Sequence, residues 1–118
     1  MSHSGKLLGA LGEQLAAEFL LLKGFIILSR NVTVKLGEID ILAQDGNIIV
    51  LVEVKTQMSA SLLDPIYKIT PAKQRKLHLL AQVIVARYPN QNIRIDAVTL
   101  YWKLGSEHPT ITHYENII

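Results

Sequence analysis

The sequence predicts an α/β domain with a mixed central sheet flanked by helices. Two long stretches carry apolar residues at helical spacing, β-rich stretches lie between and after them, and an Asp-Gly step joins two of these strands. At 118 residues the chain suits one domain, 1–118, with a single core. Hydrophobic residues make up 49% and charged residues 19%, which argues against disorder. The longest unbroken apolar run, Ile48 to Val52, falls far short of the roughly 20 residues a membrane span needs. No signal-peptide pattern follows the polar start Met1-Ser2-His3-Ser4-Gly5-Lys6. The absence of cysteine removes disulfides, thiolate zinc sites and Cys nucleophiles, and fits a cytoplasmic protein with no membrane partner.

The first helix is expected over residues 5–23. Leu8, Leu11, Leu15, Phe19 and Leu22 recur at helical spacing, and Gly24 supplies a stop. A second stripe, Gly9, Glu13, Ala16, Ala17 and Leu20, is small enough to let another backbone approach, with Glu13 at the contact. Taken alone, Glu13 reads better as an ordinary surface acid. Gly9 and Gly12 each cost the helix about 1 kcal/mol relative to Ala.

Three strands follow, at 25–34, 37–43 and 48–56, the last two joined through Asp45-Gly46-Asn47, a hairpin signal because the turn needs positive φ. The third is apolar on both faces until Glu53, which suits a central position. Residues 59–69 read as an irregular connection containing Pro65. A second helix starts with Thr70 as N-cap and Pro71 in the first position, buries Leu77, Leu80, Ala81, Ile84 and Tyr88, and ends near Tyr88 before Pro89-Asn90. Strands at 93–102 and 110–114 complete the order α-β-β-β-α-β-β.

The net charge of +2 says less than its distribution. From Pro65 to Ile95 there are six cations and no acid, whereas Glu38, Asp40 and Glu53 sit in apolar, strand-like sequence. Glu53 and Lys55 are two apart on a strand and point to one face. With Asp45-Gly46 as a two-residue turn, Gln44 pairs with Asn47 and Asp40 lies opposite Leu51. Asp40 is then a diagonal same-face neighbour of Glu53, roughly 7–8 Å away at the backbone. A three-residue turn without a bulge would put Asp40 on the other face.

Like charges held together in a semi-apolar setting repel, and a divalent cation relieves them. Oxygen ligands without thiolates favour Mg²⁺ or Mn²⁺. Lys55 suits orientation of water or stabilisation of phosphorane-like charge better than action as a free-amine base. Metal-activated water attacking a phosphodiester is the reaction these parts would perform. Taken alone, Glu53 and Lys55 make an ordinary ion pair; Asp40, Glu13 and the acid-free basic segment bring the metal-site reading level with that one. In the second helix, Lys73, Arg75 and Lys76 oppose the helix dipole and suit a nucleic-acid-binding patch, or else a solvated basic face.

Gly-Glu-Ile-Asp at 37–40 followed by Val-Glu-Val-Lys at 52–55 resembles the PD-(D/E)XK nuclease superfamily, and more closely the YraN family of endonuclease-like proteins, related in fold to Holliday-junction resolvases. Gly12-Glu13 with Ala16, Arg30-Asn31, Lys73, Ala81, Arg94-Ile95-Asp96, and His113 with Asn116 extend the likeness along the chain. The resemblance implies a restriction-endonuclease-like core. It makes Asp40, Glu53 and Lys55 the catalytic residues, and Asp40, Glu53 and Glu13 the carboxylates at the metal. It also implies structured or branched DNA, ahead of RNA, as partner, and a homodimer by analogy with the resolvases. Ile39 stands where the superfamily name expects Pro, as it does in the YraN pattern, and Gln57 stands where relatives carry Arg. A non-catalytic nucleic-acid-binding module that keeps the fold is the rival expectation.

Overall fold

The computed structural model describes residues 2–58 and 64–118, with residues 2–5 described by their backbone. Residues 59–63, the first part of the connection expected over 59–69, lie outside the described residues. The elements are α1 (Ser2–Leu22), β1 (Ile26–Val34), β2 (Gly37–Asp45), β3 (Ile48–Met58), a 3₁₀ turn (Pro65–Lys68), α2 (Pro71–Val85), β4 (Asn92–Trp102) and β5 (Thr110–Tyr114). The strands form one five-stranded sheet in the order β1-β2-β3-β4-β5. Only β3 and β4 run parallel, joined by the crossover that contains α2; the other neighbours are antiparallel. This is the mixed α/β arrangement the element order predicts. No helix among the described residues is long and apolar enough to cross a membrane.

The helices cover opposite faces of the sheet. On one face, Ala16, Ala17 and Leu20 of α1 pack on Ile41, Ala43, Val50, Val52, Val98 and Leu100. On the other, Leu77, Leu80, Ala81 and Ile84 of α2 pack on Leu42, Ile49, Leu51, Ile95 and Ala97. β3 contributes to both clusters and is central, as its unbroken apolar run requires.

α1 differs from expectation in the face it buries. Leu11 is 48% exposed and Leu22 90%, so the leucine stripe only partly faces the core and the small-residue stripe is the one against the sheet. Gly12 is the reason: a methyl group there would collide with the Thr56 side chain on β3, so the helix approaches closest where it has no side chain. Gly24 stops α1 as predicted. Its φ is +95°, its N–H bonds Leu21 O at 3.0 Å, and the Phe25 N–H bonds Leu20 O at 3.0 Å, a pair of bonds that closes the helix end.

α2 begins as predicted, with Thr70 Oγ1 accepting the Lys73 N–H at 3.2 Å and Pro71 in the first turn. It ends at Val85 rather than near Tyr88, where the bonds from Arg87 N–H to Ile84 O and from Tyr88 N–H to Val85 O tighten the chain.

The β2–β3 hairpin also departs from the expected register. Gly46 (φ +61°) and Asn47 occupy the turn, and Asp45 pairs with Ile48. Glycine takes the first turn position because positive φ is needed there. Relative to the register centred on Asp45-Gly46, the pairing moves by two residues. Asp40 therefore falls level with Glu53 instead of Leu51, and because the shift is even its face is preserved.

Away from this hairpin, Asp96 is fully buried and holds β4, β5 and the chain end together. Its carboxylate accepts from Arg94 Nε (2.8 Å) and Nη2 (3.0 Å), from His113 Nε2 (2.8 Å) and from the Asn116 N–H (2.9 Å). Lys23 Nζ lies 2.7 Å from His113 Nδ1. A lysine only donates, so Nδ1 accepts and Nε2 carries the proton given to Asp96. Burial pushes the Asp96 carboxyl up, but the bonds from His113, Arg94 and Asn116 and the Arg94 charge outweigh it and hold the group below its ordinary 3.8.

Three stability outcomes follow. A carboxylate held low in the folded state contributes fully above its unfolded value and loses that contribution as pH falls through its folded one. Asp96→Asn should therefore lower stability at pH 7 by on the order of 3 kcal/mol, and the deficit should shrink below about pH 4 in urea titrations. Within α1, Gly9→Ala meets open space and should gain up to about 1 kcal/mol. Gly12→Ala should lose stability instead, recovering part of the loss when combined with Thr56→Ala.

Candidate active site

The site arises where β2 and β3 part. Their pairing runs from Asp45 with Ile48 to Ile41 with Val52 and stops, while β2 stays paired to β1 as far as Gly37. One step beyond the last pair stand Asp40 and Glu53. The ladder gives way to a side chain there: Asp40 Oδ2 accepts the Val54 N–H at 2.8 Å. On β1 the neighbouring residue, Asn31, has φ +53°, a conformation Asn tolerates better than most residues. Facing reverses at this step. Arg30 reaches Gln14 of α1 (2.8 Å), whereas Val32 joins the α2-side core, and Ile41 and Ile39 divide in the same way. The kink peels β2 away from β3 and opens a cleft between them.

Glu53 is only 4% exposed, yet it carries two cations. Lys55 Nζ lies 3.4 Å and Lys73 Nζ 3.3 Å from the same oxygen, Oε2. Asp40 and Glu53 stand close enough at the fork for the Glu53 charge to act on the Asp40 carboxyl. Burial, then the Glu53 charge, then that of Glu13, drive the Asp40 carboxyl up to about 7 against the pull of the Val54 N–H. Glu13 is also raised, by burial first and by the charges of Glu38 and Glu53, opposed by the Arg30 charge and by the nearby Asn31 side chain.

These groups line one cavity of about 530 Å³, walled by Gly9 and Glu13 of α1, Gly37, Glu38 and Asp40 of β2, Glu53 and Lys55 of β3, and Lys73 and Lys76 of α2. Six of the seven residues singled out in the sequence thus meet in one cleft: Glu13, Asp40, Glu53, Lys55, Lys73 and Lys76. Arg75 does not. It lies in a separate, mostly apolar groove with Pro71, His78 and Leu79, because Lys73 and Lys76 share a helix face that the intervening residue leaves. Gln74 turns to the same groove and donates to Ile69 O at 3.2 Å. Asp96 is not among the residues that line the cleft.

Two features escaped sequence reasoning. Lys73 was expected on a phosphate-gripping surface, but it reaches into the cleft and pairs with Glu53; its place one helical turn before Leu77 was the available signal. Asn31 stands near enough to Glu13 to oppose the rise of its carboxyl, a role that spacing alone does not show.

The donor set decides which ion would fit. Two carboxyls pressed together need a proton or a cation between them, and oxygen donors without thiolate or imidazole suit Mg²⁺ or Mn²⁺. Among the described residues no group of three or more His, Asp or Glu side chains is assembled to hold a metal. Mg²⁺ commonly takes one or two carboxylates and completes its shell with water and phosphate, so the Asp40–Glu53 pair is compatible with it.

Residues 12–100, which include all six cleft residues, match the model of a family described as "Uncharacterised protein family UPF0102". A UPF0102 protein of Caldicellulosiruptor saccharolyticus is 45% identical over 102 residues, covering 85% of this chain and 86% of that protein. One from Mycolicibacterium vanbaalenii is 38% identical over 113 residues, covering 93% and 92%. Another, from Renibacterium salmoninarum, is 42% identical over 113 residues, covering 93% and 94%.

With its folded value raised, Asp40 keeps its proton in the folded chain where the unfolded chain has lost it, so stability falls as pH rises from about 4 to about 7. In metal-free buffer, Asp40→Asn should therefore melt higher than wild type at pH 8. Its advantage should grow across that window and level off above it. Parallel thermal scans in EDTA from pH 4 to 9 check this.

Proposed function

Because the chain belongs to the uncharacterised protein family UPF0102, whose name assigns no reaction, we propose its activity from the site: hydrolysis of nucleic-acid phosphodiester bonds assisted by Mg²⁺ or Mn²⁺. The observation that carries this reading is the meeting of Asp40 and Glu53 at the strand fork with Lys55 beside them. A cation bound there would supply activated water and Lewis-acid stabilisation of charge on phosphorus. Asp40 and Glu53 are the carboxylates that would hold it, and Glu13 is a third acid on the cleft wall.

The chain's own groups set the rest of the chemistry. Val54 N–H fixes the orientation of Asp40, so its second oxygen is directed by the backbone rather than by a free rotamer. Lys55 stands where it meets negative charge developing on a phosphate held near Glu53. The walls differ in sign: Lys73 and Lys76 line the α2 side, Glu13 and Glu38 the other. A polyanionic backbone is drawn to the first and repelled by the second. By the sequence resemblance to junction resolvases, the substrate is structured or branched DNA, met in the cytoplasm by a homodimer.

One observation favours a rival. Glu53 already has two ammonium partners, as suits a module that binds nucleic acid and cuts nothing. Cleavage of linear, flap and four-way DNA with Mn²⁺ separates the two. Asp40→Asn, Glu53→Gln and Lys55→Ala should each lower the rate by about a hundredfold or more; equal residual activity in all four proteins would mean contamination and end the hydrolase reading. For the binding module, Lys73→Glu and Lys76→Glu would weaken salt-sensitive, metal-independent binding while Asp40→Asn would not.

A further inference from the structure

Lys55 and Lys73 come from different elements and converge on one oxygen of a nearly buried carboxylate. One carboxylate balances one ammonium. Two ammoniums therefore compete for one oxygen, on side chains that are not closed off from the cleft: the Lys73 side chain is 33% exposed and that of Lys55 28%. Lys55 is fixed to the strand that carries Glu53. Lys73 is not, since it extends on a long side chain from the first turn of α2. The backbone N–H of Lys73 is already taken by Thr70 Oγ1, so what this part of the helix offers the cleft is the lysine head and not a free amide. One turn further on, Lys76 lies over Gly37 at the cleft rim.

We propose that Lys73 is a second lysine of the active site, shared between two anions: it binds Glu53 in the free protein and passes to a non-bridging oxygen of the phosphate when nucleic acid enters. This rests on the nucleic-acid reading above and adds the subsite that holds the phosphate. The exchange conserves charge pairing, because Lys73 leaves Glu53 for another oxygen anion while Lys55 stays. It also explains why a cation stands at a helix start, where the dipole disfavours it.

The test is binding of a fluorescein-labelled four-way DNA in EDTA, read by anisotropy, so that no cleavage is involved. Lys73→Met should weaken binding about tenfold, the scale of one charge-assisted hydrogen bond, Lys73→Arg should retain it, and Arg75→Met, one residue on but facing another groove, should change it little. Glu53→Gln frees Lys73 and should tighten binding, and this gain should be clearly smaller in the Lys73→Met background. Equal effects of Lys73→Met and Arg75→Met, or an equal gain from Glu53→Gln in both backgrounds, overturn the assignment of Lys73 while leaving the proposed function standing. Wild type that binds no DNA overturns both. The expected pattern in a protein that never cleaves supports the phosphate subsite and removes the hydrolase.

Discussion

The carboxylate of Asp40 occupies the place of a strand-to-strand hydrogen bond. By accepting the Val54 N–H it satisfies a backbone donor that the parting of β2 and β3 would orphan, and in doing so it is pinned beside Glu53. The fork and the acidic pair are therefore one feature. Without the parting there is no cleft, and without the carboxylate the parted strand carries an unpaired amide.

The rest of the site answers the electrostatic cost of that arrangement. A buried Glu53 next to a second carboxyl is tolerable only with compensation, and the chain supplies it three ways: an ammonium from the same strand, another from α2, and an Asp40 carboxyl raised to about 7 that keeps its proton longer than an ordinary one. The Asp96 network shows the contrast. There a buried carboxylate meets a guanidinium, an imidazole and a backbone amide and sits below its ordinary range. One buried acid is fully answered and serves the fold; the other pair is left partly unanswered and faces a cavity.

Much of the architecture was legible in the chain. The Thr70-Pro71 start of α2, the Gly24 stop of α1, the apolar run of β3 and the order of elements rest on local chemistry, which sequence displays directly. What was hidden depends on tertiary contact. Periodicity favours the large apolar stripe of α1, but Gly12 against Thr56 decides the buried face, and that contact belongs to two elements far apart in the chain. The hairpin turn moved by one residue because both Asp45-Gly46 and Gly46-Asn47 offer a glycine with positive φ, and only the ladder chooses between them. For the site, strand alternation was enough to put Glu53 and Lys55 on one face, because it is local. The place of Asp40 beside them hung on the hairpin register, which the structure moves by two residues. Spacing could not pair Lys73 with Glu53, since the crossover between β3 and α2 sets that distance, nor separate Arg75 from its neighbours until the helix was docked on the sheet.

The parallel crossover also imposes an order on biogenesis. A ribosome translates Glu13, Asp40, Glu53 and Lys55 well before Lys73, and β3 has no partner on its second side until β4 has emerged. A nascent or truncated chain ending short of α2 therefore holds the acids and one base of the cleft without its opposite wall. Long-range parallel pairing of this kind forms slowly, so the cleft becomes whole only once α2 and β4 have both emerged and docked, and a copy cut short before them holds one wall without the other.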